Sequence, residues 1–220
     1  MRVLIEAAVE SLDDALAAEA GGARRLELCA DLDSGGTTPE RSVIASVIER
    51  VRVPVVVMVR DRPGDHVYTR DELDRMRRDV ALALVLGAAG VVVGALTSAR
   101  RIDVPAMREL MGAAYGLPVT FHRAIDETRD VLASIDQLRS LGVARVLSSG
   151  GAPVALDGSV TLAAMIERAG PALTVVAGGG VRATNVVELV RRTGVREVHL
   201  RCGGDSARIA AVAEALAHAG

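Results

Sequence analysis

Lysine is missing altogether: all 26 basic residues of this 220-residue chain are arginine. That absence excludes a lysine Schiff base, and with it a lysine-dependent aldolase or a pyridoxal-phosphate enzyme. It also excludes a Walker phosphate loop, which needs its lysine. Tryptophan is absent too, and one Phe and two Tyr are too few for the stacking platforms that read single-stranded RNA. Two cysteines, Cys29 and Cys202, cannot build a disulfide scaffold, so a reducing compartment is expected. No apolar run approaches the roughly 18–20 residues that span a bilayer. Glu6 and Glu10 interrupt any signal-peptide core at the N-terminus. The expectation is a soluble, cytoplasmic protein. Neither sign of charge is in excess: a formal net charge of -2 gives no electrostatic reason to expect nucleic acid or a membrane surface as a partner.

Half of the residues are hydrophobic, enough for one large core. Short β-rich runs at 3–7, 25–29, 55–59, 90–94, 119–122, 145–149, 173–177 and 197–201 alternate with segments of helical periodicity. Strict βα alternation calls for a parallel sheet with helical crossovers. A repeat favours closure into a ring. Every even-numbered strand is entered through a glycine that ends the preceding helix: Gly21-Gly22, Gly87, Gly142 and Gly194. Residues 1–220 are therefore expected to form a single α/β domain, a (β/α)8 TIM barrel, with its site at the C-terminal ends of the strands.

Ionisable residues collect along the strands. Side chains alternate faces, so Glu27 shares a face with Cys29, Thr120 with His122, and Glu197 with His199, and their apolar neighbours suit packing beneath helices. Glu6, Glu27 and Glu197 come from strands 1, 2 and 8, and Arg60, His122 and Arg123 from strands 3 and 5. One reading is an acid–base site on a small phosphorylated or carboxylated metabolite. In it His122 is general acid or base, tuned by Asp126 or a neighbouring Glu, and Glu27 or Glu197 is its partner. His199 belongs to the same group, and Glu6, Arg60, Arg123, Ser149 and Arg201 would hold the anion. Gly178, Gly179 and Gly180, opening a helix after strand 7, and Gly203 and Gly204 after strand 8, are placed to bind phosphate. Isomerase, epimerase or lyase chemistry needs no more. The other reading is an ion-pair net that merely fills the barrel. For a metal, Cu(I) prefers sulfur and imidazole serves copper and zinc, which nominates Cys29, His199 and Cys202; the alternative is that the cysteines are small apolar fillers. The loop 61–68 either covers the mouth through His66 or Tyr68 or is a solvated turn. Met76 and Met107 read as core. Homo-oligomerisation stays open.

Several blocks occur in an order that resembles the CutC copper-homeostasis family. They are Ile5-Glu6, the run Arg25-Leu26-Glu27-Leu28-Cys29-Ala30, Gly35-Gly36-Thr37-Thr38-Pro39 and Met58-Val59-Arg60. The run from Val119 to Asp126 (VTFHRAID), Arg145 to Gly150 (RVLSSG), Ala177 to Val181 (AGGGV) and Glu197-Val198-His199 complete the series. The resemblance covers all eight strands and implies a cytosolic barrel that binds copper, with family positions at Cys29, His122, Arg123, Glu197 and His199. The chain departs from the family pattern at Arg60-Asp61-Arg62-Pro63, at Leu200-Arg201-Cys202 and in a shorter C-terminal region.

Overall fold

The computed structural model describes residues 3–218. β1 (Leu4–Val9) leads into α1 (Leu12–Ala20), where the Ser11 side chain accepts the Asp14 amide and closes the first turn. β2 (Arg25–Leu28), α2 (Arg41–Arg50) and β3 (Val55–Met58) follow. α3 (Arg70–Val85) starts on a capping box formed by Thr69 and Glu72. β4 (Gly90–Val93) and β5 (Val119–Phe121) are followed by α4 (Val104–Ala114) and α5 (Val131–Leu141), which the Asp103 and Asp130 carboxylates cap. The last three units are β6 (Arg145–Ser148) with α6 (Ser159–Ala169), β7 (Thr174–Gly178) with α7 (Val186–Thr193), and β8 (Glu197–Arg201) with α8 (Ser206–His218). Gly142 (φ 80°) and Gly194 (φ 71°) end α5 and α7 in the left-handed region, a conformation that suits glycine.

All eight strands run parallel, and the ring closes where β1 pairs with both β2 and β8. This is the (β/α)8 barrel that the alternation called for. Outward side chains such as Ile5, Leu26, Leu28, Val57, Phe121 and Val146 pack beneath the helices, together with buried Met76 and Met107. The inside of the ring is divided. Cys29, Val56, Met58 and Val92 form a small apolar cluster, and charged side chains from β1, β2, β6 and β8 occupy the rest. Among the described residues no helix is long and apolar enough to cross a membrane.

Two boundaries differ from the sequence reading in ways that matter for the site. β5 stops at Phe121, because His122 turns its ring back to accept the Ala124 amide and opens the 3-10 turn Arg123–Glu127. α7 starts at Val186, not at residue 183. The Asn185 side chain accepts the Arg182 amide and donates to the Gly180 carbonyl, and this turn separates the glycine run from the helix.

Candidate active site at the barrel mouth

Strand register builds the floor of the site. Glu6 lies opposite Arg25 of β2 and His199 of β8, and Glu27 lies opposite Ala8. His199 Nδ1 is 2.9 Å from a Glu6 carboxylate oxygen, and its Nε2 is 3.3 Å from a Glu27 oxygen. One imidazole is thus held between two buried carboxylates. Arg25 donates to the other Glu6 oxygen and to Glu197. Glu197 opens β8, two residues and roughly 7 Å toward the N-terminal end from His199. It pairs there with Arg25 and lies 3.7 Å from Arg145. Glu197 therefore belongs to an ion-pair plug beneath the mouth, not to the mouth itself.

The two carboxylates flanking His199 differ in charge state. Burial raises the Glu6 carboxyl, but the His199 hydrogen bond and the Arg25 guanidinium outweigh it and bring it down to about 2. Burial pushes Glu27 up to about 7, opposed by His199 and reinforced by the neighbouring Glu6 charge. Burial disfavours the His199 cation, yet Glu27 and Glu6 together raise its pKa above the ordinary 6.5. Glu6 is thus a permanent anion, whereas Glu27 exchanges a proton near neutrality.

Above this floor opens a cavity of about 1090 Å³, lined by Glu27, His199, Met58, Arg60, His66, His122, Leu147, Gly179 and Gly180. Arg123, Arg182, Arg201 and Arg208 stand around its rim. Arg201 is spoken for by Asp33 at 2.7 Å and Glu10 at 3.2 Å. Arg123 donates to Asp126 and to Ser149 Oγ. Exposed Arg182 and Arg208 have no carboxylate partner among the described residues. Arg60 is the hinge of two loops: its guanidinium donates to the carbonyls of Ser34, Gly36 and Gly64, leaving only Nε without a partner.

His122 is buried in the cavity wall. Its ring lies 4.7 Å from the His66 ring, centroid to centroid, and its Nδ1 accepts the Ala124 amide at 3.2 Å. Burial, then the charges of His66 and Arg60, hold its pKa well below the usual 6.5. Asp126, expected to tune it, is taken up by other partners. That carboxylate accepts from Ser148 Oγ, the Ser149 amide and hydroxyl, and the Gly151 amide, and so fixes the β6 loop. The space for the ring depends on Gly94, where a Cβ would stand 2.5 to 3.0 Å from three ring atoms. Gly94→Ala is expected to displace His122 and to cost about 1–3 kcal/mol as overpacking, readable as a lower denaturant midpoint with an altered His122 NMR signal.

Other expected residues fall outside the cavity. Ser149 is buried and orients Arg123. Gly178 leaves room for Leu147 and His199, since a Cβ there would lie 2.6 Å and 3.2 Å from them. Gly203 and Gly204 sit in the exposed turn before α8. Of the loop residues, His66 lines the cavity, whereas Tyr68 packs against the outer core. The sequence reading missed Arg25 and Arg145 as partners of the acids, Gly94 as the seat of His122, and Arg182 and Arg208 on the rim. Arg25 was within reach, because it shares its strand face with Glu27 and Cys29.

The CutC family model matches residues 3–204. This chain belongs to the CutC family. A CutC family protein of Xanthomonas campestris pv. campestris is 46% identical over 200 residues, covering 91% of this chain and 83% of its own. The human copper homeostasis protein cutC homolog is 42% identical over 205 residues, covering 93% of this chain and 74% of its own. The crystal structure of CutC from Streptococcus agalactiae superimposes with a TM-score of 0.86 at 36% identity, covering 90% of this chain and 97% of that one.

The sulfur and imidazole residues nominated for Cu(I) are not brought together by the fold. Cys202 follows β8 with outward parity and packs in the outer apolar core, its Sγ toward the Asp14 and Asp205 carbonyls. His199 points inward, because residues three apart on a strand face opposite ways. Cys29 points inward but is enclosed with Val56, Met58 and Val92, and burial followed by the Glu27 and Glu6 charges holds its thiol protonated. Cys29, His199 and Cys202 therefore do not form one ligand set for Cu(I). Among the described residues, the group whose ligand atoms lie within 4.8 Å of one another is Glu6, Glu27 and His199. Two carboxylates and an imidazole suit a divalent ion, not Cu(I).

Proposed function

We propose that this CutC protein carries out proton transfer on a small anionic metabolite, phosphorylated or carboxylated, at the C-terminal mouth of its barrel. The observation that carries this reading is the Glu6–His199–Glu27 line, with His199 within 3.3 Å of both carboxylates. A general acid or base works best with a pKa near the operating pH, and Glu27, at about 7, meets that condition. Glu6 holds the imidazole in place and its charge supports the imidazolium. The arginines on the rim favour an anionic ligand. Gly179 and Gly180, both at positive φ, bring bare backbone to the cavity wall, where phosphate is often held in such barrels. With no lysine for a Schiff base, the chemistry that fits is isomerisation, epimerisation or a proton-dependent elimination. A thermal-shift screen of phosphorylated and carboxylated metabolites tests it. A true ligand at 100 times its Kd is expected to add about 2.7 kcal/mol of stability, and the gain should shrink in Arg182→Ala. A screen in which no anion raises Tm would remove the proposal.

The names of the relatives support a second reading, copper binding. If copper binds, the Glu6, Glu27 and His199 cluster is the set that fits, and the ion is divalent. The expected titration is at most about one Cu(II) per chain, retained in Cys29→Ser, Cys202→Ser and lost in His199→Ala. The opposite pattern, binding under reducing conditions that the cysteine double variant abolishes, would return copper to the thiols.

A further inference from the structure

The mechanism above leaves His122 without a task, although its ring is buried in the cavity wall. Gly94 provides the space for the ring, His66 stacks on it, and the Ala124 amide donates to Nδ1. That last contact fixes the tautomer. A ring nitrogen that accepts an N–H carries no proton, so in the neutral imidazole the proton is on Nε2. Nε2 is buried and has no hydrogen-bond partner, in a residue that lines the cavity. Buried polar atoms are normally paired, and an unpaired one in a cavity wall marks where a ligand atom belongs. Thr120 Oγ1 and Arg60 Nε, on the same side of the barrel, are unpaired as well.

We propose that His122 gives its Nε2–H hydrogen bond to a carbonyl oxygen of the substrate, so that the ligand is an enolisable carbonyl compound bearing an anionic group. This inference rests on the proton-transfer reading and adds the substrate class to it. In the step it assigns, the Glu27 carboxylate takes a proton from the carbon next to the carbonyl. The C–H electron pair becomes the C=C bond of an enolate, and the carbonyl π pair moves onto oxygen. The charge on that oxygen develops against Nε2–H, with the Arg60 guanidinium nearby. Where the carbon that loses the proton bears a hydroxyl, the hydroxyl proton passes to the enolate oxygen, Glu27 returns the abstracted proton to the former carbonyl carbon, and the carbonyl re-forms on the neighbouring carbon to give the isomer. Return of the proton to the other face of the first carbon gives the epimer. A neutral imidazole suits the oxygen because it donates without surrendering its proton to the enolate. His122 is kept neutral by its burial, followed by the neighbouring His66 and the Arg60 guanidinium, which disfavour a second positive charge.

The test uses the full-length protein with 15N-labelled histidine and 2-phosphoglycolate, whose carboxylate imitates an enediolate. Inorganic phosphate is the control. The expected spectrum shows His122 as the neutral Nε2–H tautomer at pH 7. Phosphoglycolate is expected to shift its Nε2 resonance, and phosphate to leave it in place. In His122→Phe, affinity for phosphoglycolate should fall at least about tenfold while that for phosphate holds. The spectrum of the unsubstituted protein decides the matter even if that variant does not fold. An Nδ1–H tautomer overturns the assignment. So does an unmoved His122 signal when phosphoglycolate raises the melting temperature of the same sample, and in that case the anion reading survives. Failure of both probes to bind takes down the inference and the reading beneath it.

Discussion

Replacing Arg25 with methionine is expected to lower the stability of the barrel by about 3–5 kcal/mol, the usual consequence of leaving a buried charge without its partner. Arg25 is 5% exposed and donates to both Glu6 and Glu197. Methionine occupies similar space, so the loss comes from charge and not from a void. Removing the acid along with the base should recover much of it, because a neutral pair needs no solvation: Arg25→Met, Glu6→Gln is expected to be more stable than Arg25→Met alone. The comparison also depends on pH. Glu6, held at about 2 by its partners, is anionic throughout the neutral range in the native protein. In the variant its protonation at lower pH relieves the unpaired charge. Denaturant midpoints at pH 7 and pH 5 should therefore differ from the wild type more at pH 7. Equal losses at both values would show that Arg25 acts through packing.

Glu27→Gln is expected to make the protein more stable at pH 8 while removing the base of the proposed proton transfer. Glu27 sits at about 7 in the folded chain, against an ordinary 4.5. Between those values the folded state holds a proton that the unfolded state has released. The contribution of the group is thus complete below pH 4.5 and is lost as the pH rises through 7. His199, also raised, acts in the same direction. Glu6 is depressed, and its contribution is lost only as the pH falls toward 2, outside this window. Glutamine removes the buried charge, so the variant should exceed the wild type by about 2–3 kcal/mol at pH 8, and by much less at pH 5. Any metabolite turned over by the wild type should be processed about 10²–10⁴-fold more slowly. A site that trades stability for function behaves in this way. A variant with lower stability at pH 8 would mean that Glu27 is a structural ion, and the acid–base assignment would fail with it.

The cysteines, the helix caps and the glycine entries show how far the linear pattern reaches. Alternation of β-rich and helical segments, with Gly142 and Gly194 at helix ends, was enough to identify the closed barrel, because strand and helix periods are local properties of the chain. The same alternation separates Cys202 from His199 by face, so the failure of a joint copper site was already readable from the spacing of three residues. The blocks around Glu27, His122 and Glu197 were enough for the family.

What the chain by itself determined was the ring, the family and the inward-facing acids and histidines, though not their partners Arg25 and Arg145. Only the tertiary structure decided their levels along the barrel axis and their partners. Relative height depends on strand register: Glu6 meets His199 and Arg25, and Glu197 falls below them. Register is fixed by pairing between segments almost two hundred positions apart, and no local pattern carries it. For the same reason Gly94 and His122, brought together by the pairing of β4 with β5, had no connection in the sequence, although the shape of the cavity depends on it.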